Sequence, residues 1–575
     1  MELLEKHFET AFDAPDGIEK LRELILTLAL QGKLVKQDSE DQSAQDLLSR
    51  LRKARLDKYK HQTSNSSEAK TMLRKLSKLD ILNSTNNLPT HWVTTHLIDC
   101  CEYLVDCHNK TATYTESGIP IIRTTNIRDR QIRHQGMKYI SKDTYDFWSR
   151  RCPPQSGDII FTREAPMGEA TIIPENMMCC LGQRTMLIRP MKEFIDPRYL
   201  LFSLTEPSLL KKAAAGAIGS TVKHLRVGDV ERLEISLPPL PEQCRIVAKI
   251  DQLMARCDEL EKLRTERDRK RLTVHTAALN RLLTAQTRDT STDAWQFIAQ
   301  HFGELYAVKE NVAELRKAIL QLAVMGKLVA QDPSDEPANV LLKAIETEKQ
   351  RLIKEKKTRK PKPLPELLPE DLPVSIPNSW EWVRFEDIVD IGSGVTKGRK
   401  LQNRTLISLP YLRVANVQRG YLNLKVMKEI EIPEDEVDKY ALQKEDLLIT
   451  EGGDWDKVGR TAIWNSEIPE CIHQNHVFKA RRYLQKQNIF WLEKFLNSTI
   501  ARTYFAGASK QTTNLASINK TQLRGCPIPI PPLPEQHRIV AKVDQLMALC
   551  DTLEQQIDNA THKQTALLNA VMAQV

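Results

Sequence analysis

Residues 237–261, LPPLPEQCRIVAKIDQLMARCDELE, recur as residues 530–554, IPPLPEQHRIVAKVDQLMALCDTLE, with differences at only five of 25 positions. A second pair, IEKLRELILTLALQGKLVKQD from Ile18 and VAELRKAILQLAVMGKLVAQD from Val312, repeats at an offset of 294 residues against 293 for the first. Two separate pairs with one shared offset mark a single duplicated unit, so the fold must contain one structural solution twice. At 575 residues the chain is too long for a single core. The duplication therefore decides how it divides.

Between these anchors the two copies keep their order while their surfaces diverge. Pro120-Ile121-Ile122-Arg123 with Asn126 parallels Pro410-Tyr411-Leu412-Arg413 with Asn416. Asp158-Ile159-Ile160-Phe161-Thr162 parallels Asp446-Leu447-Leu448-Ile449-Thr450, each an apolar run that reads as a buried strand. Leu88-Pro89 then Trp92, like Ile376-Pro377 then Trp380, opens each variable segment. This predicts an α+β chain: two similar mixed α/β domains over 88–236 and 376–529, joined by long coiled-coil helices in an internal repeat. The helical parts are 1–87 with a basic linker, 237–375 with central helices and a basic Pro-rich linker, and 530–575.

In the last helix, apolar residues at Ile539, Val543, Leu546, Cys550, Leu553, Ile557, Ala560, Leu567 and Val571 predict a coiled-coil seam broken once at Gln564. The first copy follows it at Ile246, Ile250, Leu253, Cys257 and Leu260, then turns Arg-rich, so its second half needs another partner. Pro238, Pro239 and Pro241, like Pro531, Pro532 and Pro534, stop the preceding strand and leave Glu242 or Glu535 in the first helical turn, where a carboxylate suits the dipole. Gly32 and Gly326 end the shorter repeated helices and predict a left-handed residue there.

The formal charge of +8 hides its distribution. Residues 50–78 hold ten Lys and Arg against two acids, and residues 343–362 hold nine against three. Both stretches precede a variable domain, and both end in linker-like sequence, HQTSNSSEAK and RKPKPLPELLPEDLP. Contact with nucleic-acid phosphates is one reading, and a solvated basic linker the other. Eleven Cys, an odd count with no CxxC pair, suit reduced, mostly buried thiols. The start, MELLEKHFETAFDAPDG, lacks the pattern of a signal peptide, and no run is apolar enough to span a membrane, so a cytoplasmic location is expected.

Catalytic signatures are weak. Gly32-Lys33 and Gly326-Lys327 are followed by Leu rather than Ser or Thr, so no phosphate loop is expected. The only Pro-Pro pairs follow Cys152, Leu237 and Ile530, which leaves no loop for adenine methylation. Cys471, His473 and His476 lie on an alternating run where residues three apart do not share a face, so no metal is expected. Glu451, Asp454, Asp456 and Lys457 have the composition of a metal-nuclease cluster, but the first copy replaces them, so a DNA-facing or solvated loop is preferred.

The twin PPLPEQxRIVAKxDQLM and LxxxILxLAxxGKLVxQD segments, with two diverged domains between them, resemble the specificity subunit of Type I restriction-modification systems over nearly the whole chain. The resemblance implies a non-catalytic, DNA-binding subunit that binds no cofactor itself. Its two target-recognition domains, held apart by long antiparallel coiled-coil helices in a pseudo-twofold internal repeat, would each read half of a split double-stranded DNA sequence. It also implies two methyltransferase (modification) subunits bringing S-adenosylmethionine, and motor-nuclease (restriction) subunits using ATP and Mg2+. A coiled-coil adaptor without DNA specificity and a cryptic metal-dependent nuclease are the alternatives. Some relatives begin directly at the first recognition domain, so the helical segment ahead of it leaves the helix packing order open. Candidate DNA-binding residues, polar and in the loops, are Arg123, Thr125, Asn126, Arg163, Arg184, Lys223 and His224 in the first domain. In the second they are Arg413, Asn416, Lys457, Gln474, Lys510, Gln511, Thr512 and Asn514. Arg123, Asn126, Arg413 and Asn416 are kept in both copies, which favours a role in the shared frame or at the DNA backbone.

Overall fold

Strand pairing repeats as faithfully as the sequence does in the computed structural model, which describes residues 10, 12–62, 67–80, 82, 88–108, 110–216, 224–399, 404–453, 457–508, 510–512 and 515–573. In the first copy, strand Val93–His96 pairs antiparallel with Glu234–Leu237. A four-stranded sheet sets Cys101–Asp106, Thr185–Pro190, Ile159–Thr162 and Ala170–Ile172 side by side, and a three-stranded sheet holds Lys138–Ile140, Ile119–Ile122 and Cys180–Leu181. The second copy reproduces all three. Glu381–Arg384 pairs with Pro527–Ile530; Val389–Ser393, Val477–Arg482, Leu447–Thr450 and Thr461–Ile463 form the four-stranded sheet; and Lys428–Pro433, Leu406–Leu412 and Ile472–His473 form the three-stranded one. The mixed α+β class is as expected.

The chain divides into two compact units, Met1–Arg267 with Ala560–Val575, and Asp268–Asn559. Within the first, the short apolar runs are buried strands covered on both faces. Ile159, Phe161, Met186 and Ile188 pack beneath the helix Pro197–Leu204, while the alternate residues Ile160 and Leu187 pack against Ile122, Ile127 and Leu181. That is the period of two that a pleated strand imposes. In the second unit Leu447, Ile449, Phe478 and Ala480 take one face and Leu448 with Val477 the other.

Both central strands begin at a buried ion pair. Asp158 takes two bonds from Arg189, at 2.9 and 2.7 Å, and caps the turn by accepting from the Gln155 N–H. Asp446 does the same with Arg481, at 2.7 and 2.6 Å, and the Gln443 N–H.

The near-identical segments converge on one joint in each copy. Gly32 and Gly326, at φ of +70° and +66°, end their helices as expected. A Cβ on Gly32 would lie 2.4 Å from Pro89 Cγ, and on Gly326 2.5 Å from Pro377 Cγ. Trp92 donates its indole N–H to Glu242 at 2.9 Å, and Trp380 donates to Glu535 at 3.0 Å. Arg245 pairs with Asp41, and Arg538 with Asp335. Glu242 and Glu535 are fully buried, so their main task is to accept from the tryptophan rather than to face the helix dipole from solvent. Burial pushes the Glu535 carboxyl up from its ordinary range, against the bonds from Trp380 and Gln331. Gly32→Ala is expected to lower stability by at least ~1–2 kcal/mol, the cost of a left-handed L-residue before any overlap with Pro89, visible as a lower Tm. An unchanged Tm would show that the joint gives way.

The long helices run over Leu240–Thr284 and Leu533–Ala573, 45 and 41 residues, roughly 60–70 Å each at 1.5 Å per residue. The seam differs from expectation in detail. In the last helix it holds through Ile539, Val543 and Cys550, then Ala560 is exposed and Leu568 is fully buried. The reason is a change of partner. Leu546, Leu553 and Ile557 pack into the core that contains Ile319 and Leu322, whereas Leu567 and Leu568 pack against Phe12 and Leu24. In the first long helix Leu260 is exposed, so its seam closes at Cys257. Arg264 donates to the Ala14 carbonyl at 2.8 Å, and burial resumes at His275, Leu279 and Leu282 in the other unit's core.

The basic stretches are mostly not linkers. Ala44–Gln62 and Ser67–Leu76 are helices, as is Ala338–Lys354. Two of them dock on their variable domains through a buried cation: Ala44–Gln62 by Arg55 to Asp99 at 2.8 Å, and Ala338–Lys354 by Lys349 to Asp387 at 3.4 Å. Burial pushes the Asp99 carboxyl up, but the guanidiniums of Arg52 and Arg55 outweigh it and hold the carboxyl below the usual range. Arg50, Lys53, Lys70, Arg74 and Lys78, and Lys343, Lys354, Lys356, Arg359, Lys360 and Lys362, remain exposed and make no ion pair among the described residues. Ten of the eleven thiols are buried and all are unpaired; Cys244 is exposed.

Candidate nucleic-acid interface

One end of each four-stranded sheet gathers most of the polar loop residues. In the first copy the carboxyl ends of Cys101–Asp106 and Ile159–Thr162 meet the amino end of Thr185–Pro190 there. The Arg163 N–H donates to the Arg184 carbonyl at 2.9 Å, and the Arg163 carbonyl accepts from the Leu225 N–H at 3.1 Å. In the second copy the Glu451 N–H donates to the His476 carbonyl at 2.9 Å and the Glu451 carbonyl accepts from the Ile518 N–H at 2.9 Å. Thr162 and Thr450 clamp the loop that follows, each donating to a loop carbonyl, of Pro166 or Lys457, and each accepting a backbone N–H at 2.9 Å, from Glu169 or Arg460. The clamped span is seven residues in one copy and ten in the other.

The side chains hung on this common frame differ. Arg163, only 16% exposed, is committed to Asp106 at 2.9 Å and to the Leu225 carbonyl at 3.2 Å. Arg184 is 55% exposed and lies 3.3 Å from Glu164. His224 is bridged to Glu164 through the backbone. In the second copy Gln474 is half-buried, its N–H bonded to the Leu412 carbonyl at 2.9 Å, and Lys457 is half-buried in the clamped loop. Lys510–Thr512 form a strand paired with Leu515–Ser517, which pairs in turn with Gly452–Gly453; the Glu164–His224 bridge is the first copy's counterpart of the Gly452–Ser517 pairing. Lys223 and Asn514 lie outside the described residues, as do Asp454 and Asp456.

Four candidates are engaged in the fold itself. Asn126 accepts from the Arg123 N–H and donates to the Arg133 carbonyl at 3.1 Å, while the Arg123 guanidinium donates to the Gly136 carbonyl at 2.6 Å. Asn416 and Arg413 repeat this with the Asn423 and Val426 carbonyls at 2.9 Å each. Both Asn side chains are buried; Thr125, beside the first, is exposed.

Cys471, His473 and His476 do not converge. The Cys471 thiol points to the Ile472 carbonyl, the buried His473 Nδ1 donates to the Val477 carbonyl at 2.6 Å, and the His476 Nδ1 meets Glu451 at 2.5 Å. Among the described residues no group of three His, Cys, Asp or Glu could hold a metal. Burial drives the His473 pKa down to about 3. The folded protein therefore refuses a proton that the unfolded chain accepts below about 6.5. Its stabilising effect is complete above pH 6.5 and is lost progressively between pH 6.5 and 3, by up to ~1.4 kcal/mol per pH unit. His473→Leu, the residue at the matching Leu181, is expected to remove that part of the acid slope in urea titrations. Parallel slopes for variant and wild type would contradict it.

Neither Glu451 nor His476 is among the readers expected from sequence: Glu451 lies in the loop read as DNA-facing or solvated, and His476 in the set from which no metal is expected. The usable signal was their alignment with Arg163 and Arg184 once the copies are superposed by sequence.

The family described as Type I restriction modification DNA specificity domain matches residues 89–267 and 377–561. The Type I restriction enzyme EcoAI specificity subunit of Escherichia coli is 31% identical over 96% of this chain and 93% of its own length. The EcoEI specificity subunit of Escherichia coli is 28% identical over the same shares. The crystal structure of the HsdS subunit from Thermoanaerobacter tengcongensis aligns with 85% of this chain and 98% of its own at 19% identity, with a TM-score of 0.40.

Proposed function

Because this chain belongs to the Type I restriction modification DNA specificity domain family, we propose that it is the non-catalytic DNA-recognition subunit of such a complex, each variable domain reading one half of a bipartite target. The observation that carries this reading is the sheet end described above. One backbone frame, held by the same hydrogen bonds, presents Glu164 and Arg184 in one copy and Glu451 and His476 in the other. A duplicated reader with two different targets requires such constancy of frame and divergence of polar side chains, because base edges are told apart by donor and acceptor pattern. The exposed Lys and Arg of the docked basic helices suit phosphate contacts, which set register without reading sequence.

Two methyltransferase subunits, with S-adenosylmethionine and the adenine-methylating site, would join this chain, and motor-nuclease subunits using ATP and Mg2+ would join for cleavage. This chain would supply none of those cofactors or catalytic groups. No described helix is long and apolar enough to cross a membrane, and a cytoplasmic site of action follows from the DNA target. The test is retardation of a split DNA site by the chain with its methyltransferase. Binding is expected to disappear when either half-site is scrambled, and binding indifferent to both would overturn the reading.

A further inference from the structure

The Glu451–His476 pair occupies the centre of the second domain's sheet end, and its chemistry is the reverse of what the first domain places there. At the matching positions the first copy has Arg163, locked into the fold by Asp106 and the Leu225 carbonyl, and an exposed Arg184. The second copy has a carboxylate in place of the first arginine and an imidazole in place of the second. Glu451 is held by backbone bonds on both sides, and one carboxylate oxygen meets His476 Nδ1 at 2.5 Å. The carboxylate is 27% exposed and the imidazole 55%. Among the described residues Glu451 has no other side-chain partner, which leaves its second oxygen without a bond from them. Gly452 follows, where a Cβ would lie 2.5 Å from the Ala516 carbonyl, so the strand Leu515–Ser517 is packed directly against this position.

A carboxylate on a DNA-facing surface is repelled by every phosphate. The place where it gains is a base edge offering an amino donor, and the exocyclic amino groups of the major groove, cytosine N4 and adenine N6, are those donors. As a structural ion pair it has little to offer, since exposed pairs add little to stability. Resting on the DNA-recognition reading above, we infer that Glu451 reads the exocyclic amino group of one base in the second half-site and that His476 is the positioning residue that aims it.

The experiment maps methylated adenines on a randomised DNA library, using the chain assembled with its methyltransferase. Glu451→Gln is expected to reduce discrimination at one base pair of the second half-site by roughly tenfold, leaving the first half-site as it was and the thermal midpoint close to wild type. Because an amide pairs with adenine N6 and N7, a cytosine source predicts a shift of preference to adenine, and an adenine source predicts that adenine is kept while the other bases are tolerated more. His476→Asn is expected to weaken discrimination at that same base pair and at no other. Glu451→Asp, which keeps the charge and draws it back, is expected to fall between wild type and Glu451→Gln. Unchanged preference at every position in Glu451→Gln and Glu451→Asp would overturn the inference while leaving DNA recognition intact. A wild-type complex indifferent to both half-sites would instead remove the reading on which it rests.

Discussion

Replacing residues 88–236 with the corresponding domain of another family member is expected to change one half of the methylated sequence completely and leave the other half untouched. The exchange is feasible because the domain's first and last strands are hydrogen-bonded partners, with Val93 opposite Leu237 and His96 opposite Glu234. The chain therefore enters and leaves the domain at one place, and a donor built on the same strand pair meets the joint at Trp92 and Glu242 without displacing it. One condition follows from the docked basic helix. Arg55 is 3% exposed and relies on Asp99, so a donor without a carboxylate there leaves a buried guanidinium unpaired and is expected to fold poorly. With that residue retained, mapping methylated adenines before and after exchange decides the matter. A change in both halves would refute independent reading by the two domains.

The parts of this fold legible in the sequence are those where one contact demands one residue type. Gly32 and Gly326 were readable as helix ends because a positive φ favours glycine. Their second constraint, the approach of Pro89 and Pro377, was not, since it depends on a segment more than fifty residues away. The strands after Asp158 and Asp446 were readable from unbroken apolar runs, yet the arginines that pair with those aspartates lie on neighbouring strands, and nothing local announces them. The basic stretches show the limit most clearly. A count of charges cannot separate Arg55, sunk against Asp99, from Lys53 two residues earlier, which faces solvent. At the proposed DNA-facing end, residue type singled out Arg123 and Asn416, whose retention in both copies already pointed to the shared frame and which the fold consumes in its own loops, whereas Glu451 was visible only as part of a loop read as DNA-facing or solvated.

The second large effect is expected at Asp158. Asp158→Ala should cost ~3–5 kcal/mol, the penalty for stripping one partner from a buried ion pair, because the Arg189 side chain is only 11% exposed and cannot turn to water. The variant also loses the acceptor for the Gln155 N–H at the start of the strand. Asp446→Ala removes the same bonds in the other copy, but the Arg481 side chain is 32% exposed and can be rehydrated, so a smaller loss of ~1–3 kcal/mol is expected. Urea unfolding gives the magnitudes, and hydrogen exchange gives the location. Protection should fall in Ile159–Thr162 and Thr185–Pro190 for the first variant, and in Leu447–Thr450 and Val477–Arg482 for the second. Equal losses from the two substitutions would mean that exposure of the arginine does not set the cost. Asp158→Asn separates charge from capping: its side-chain oxygen still accepts from the Gln155 N–H, so the part of the loss it recovers belongs to the turn and the remainder to Arg189.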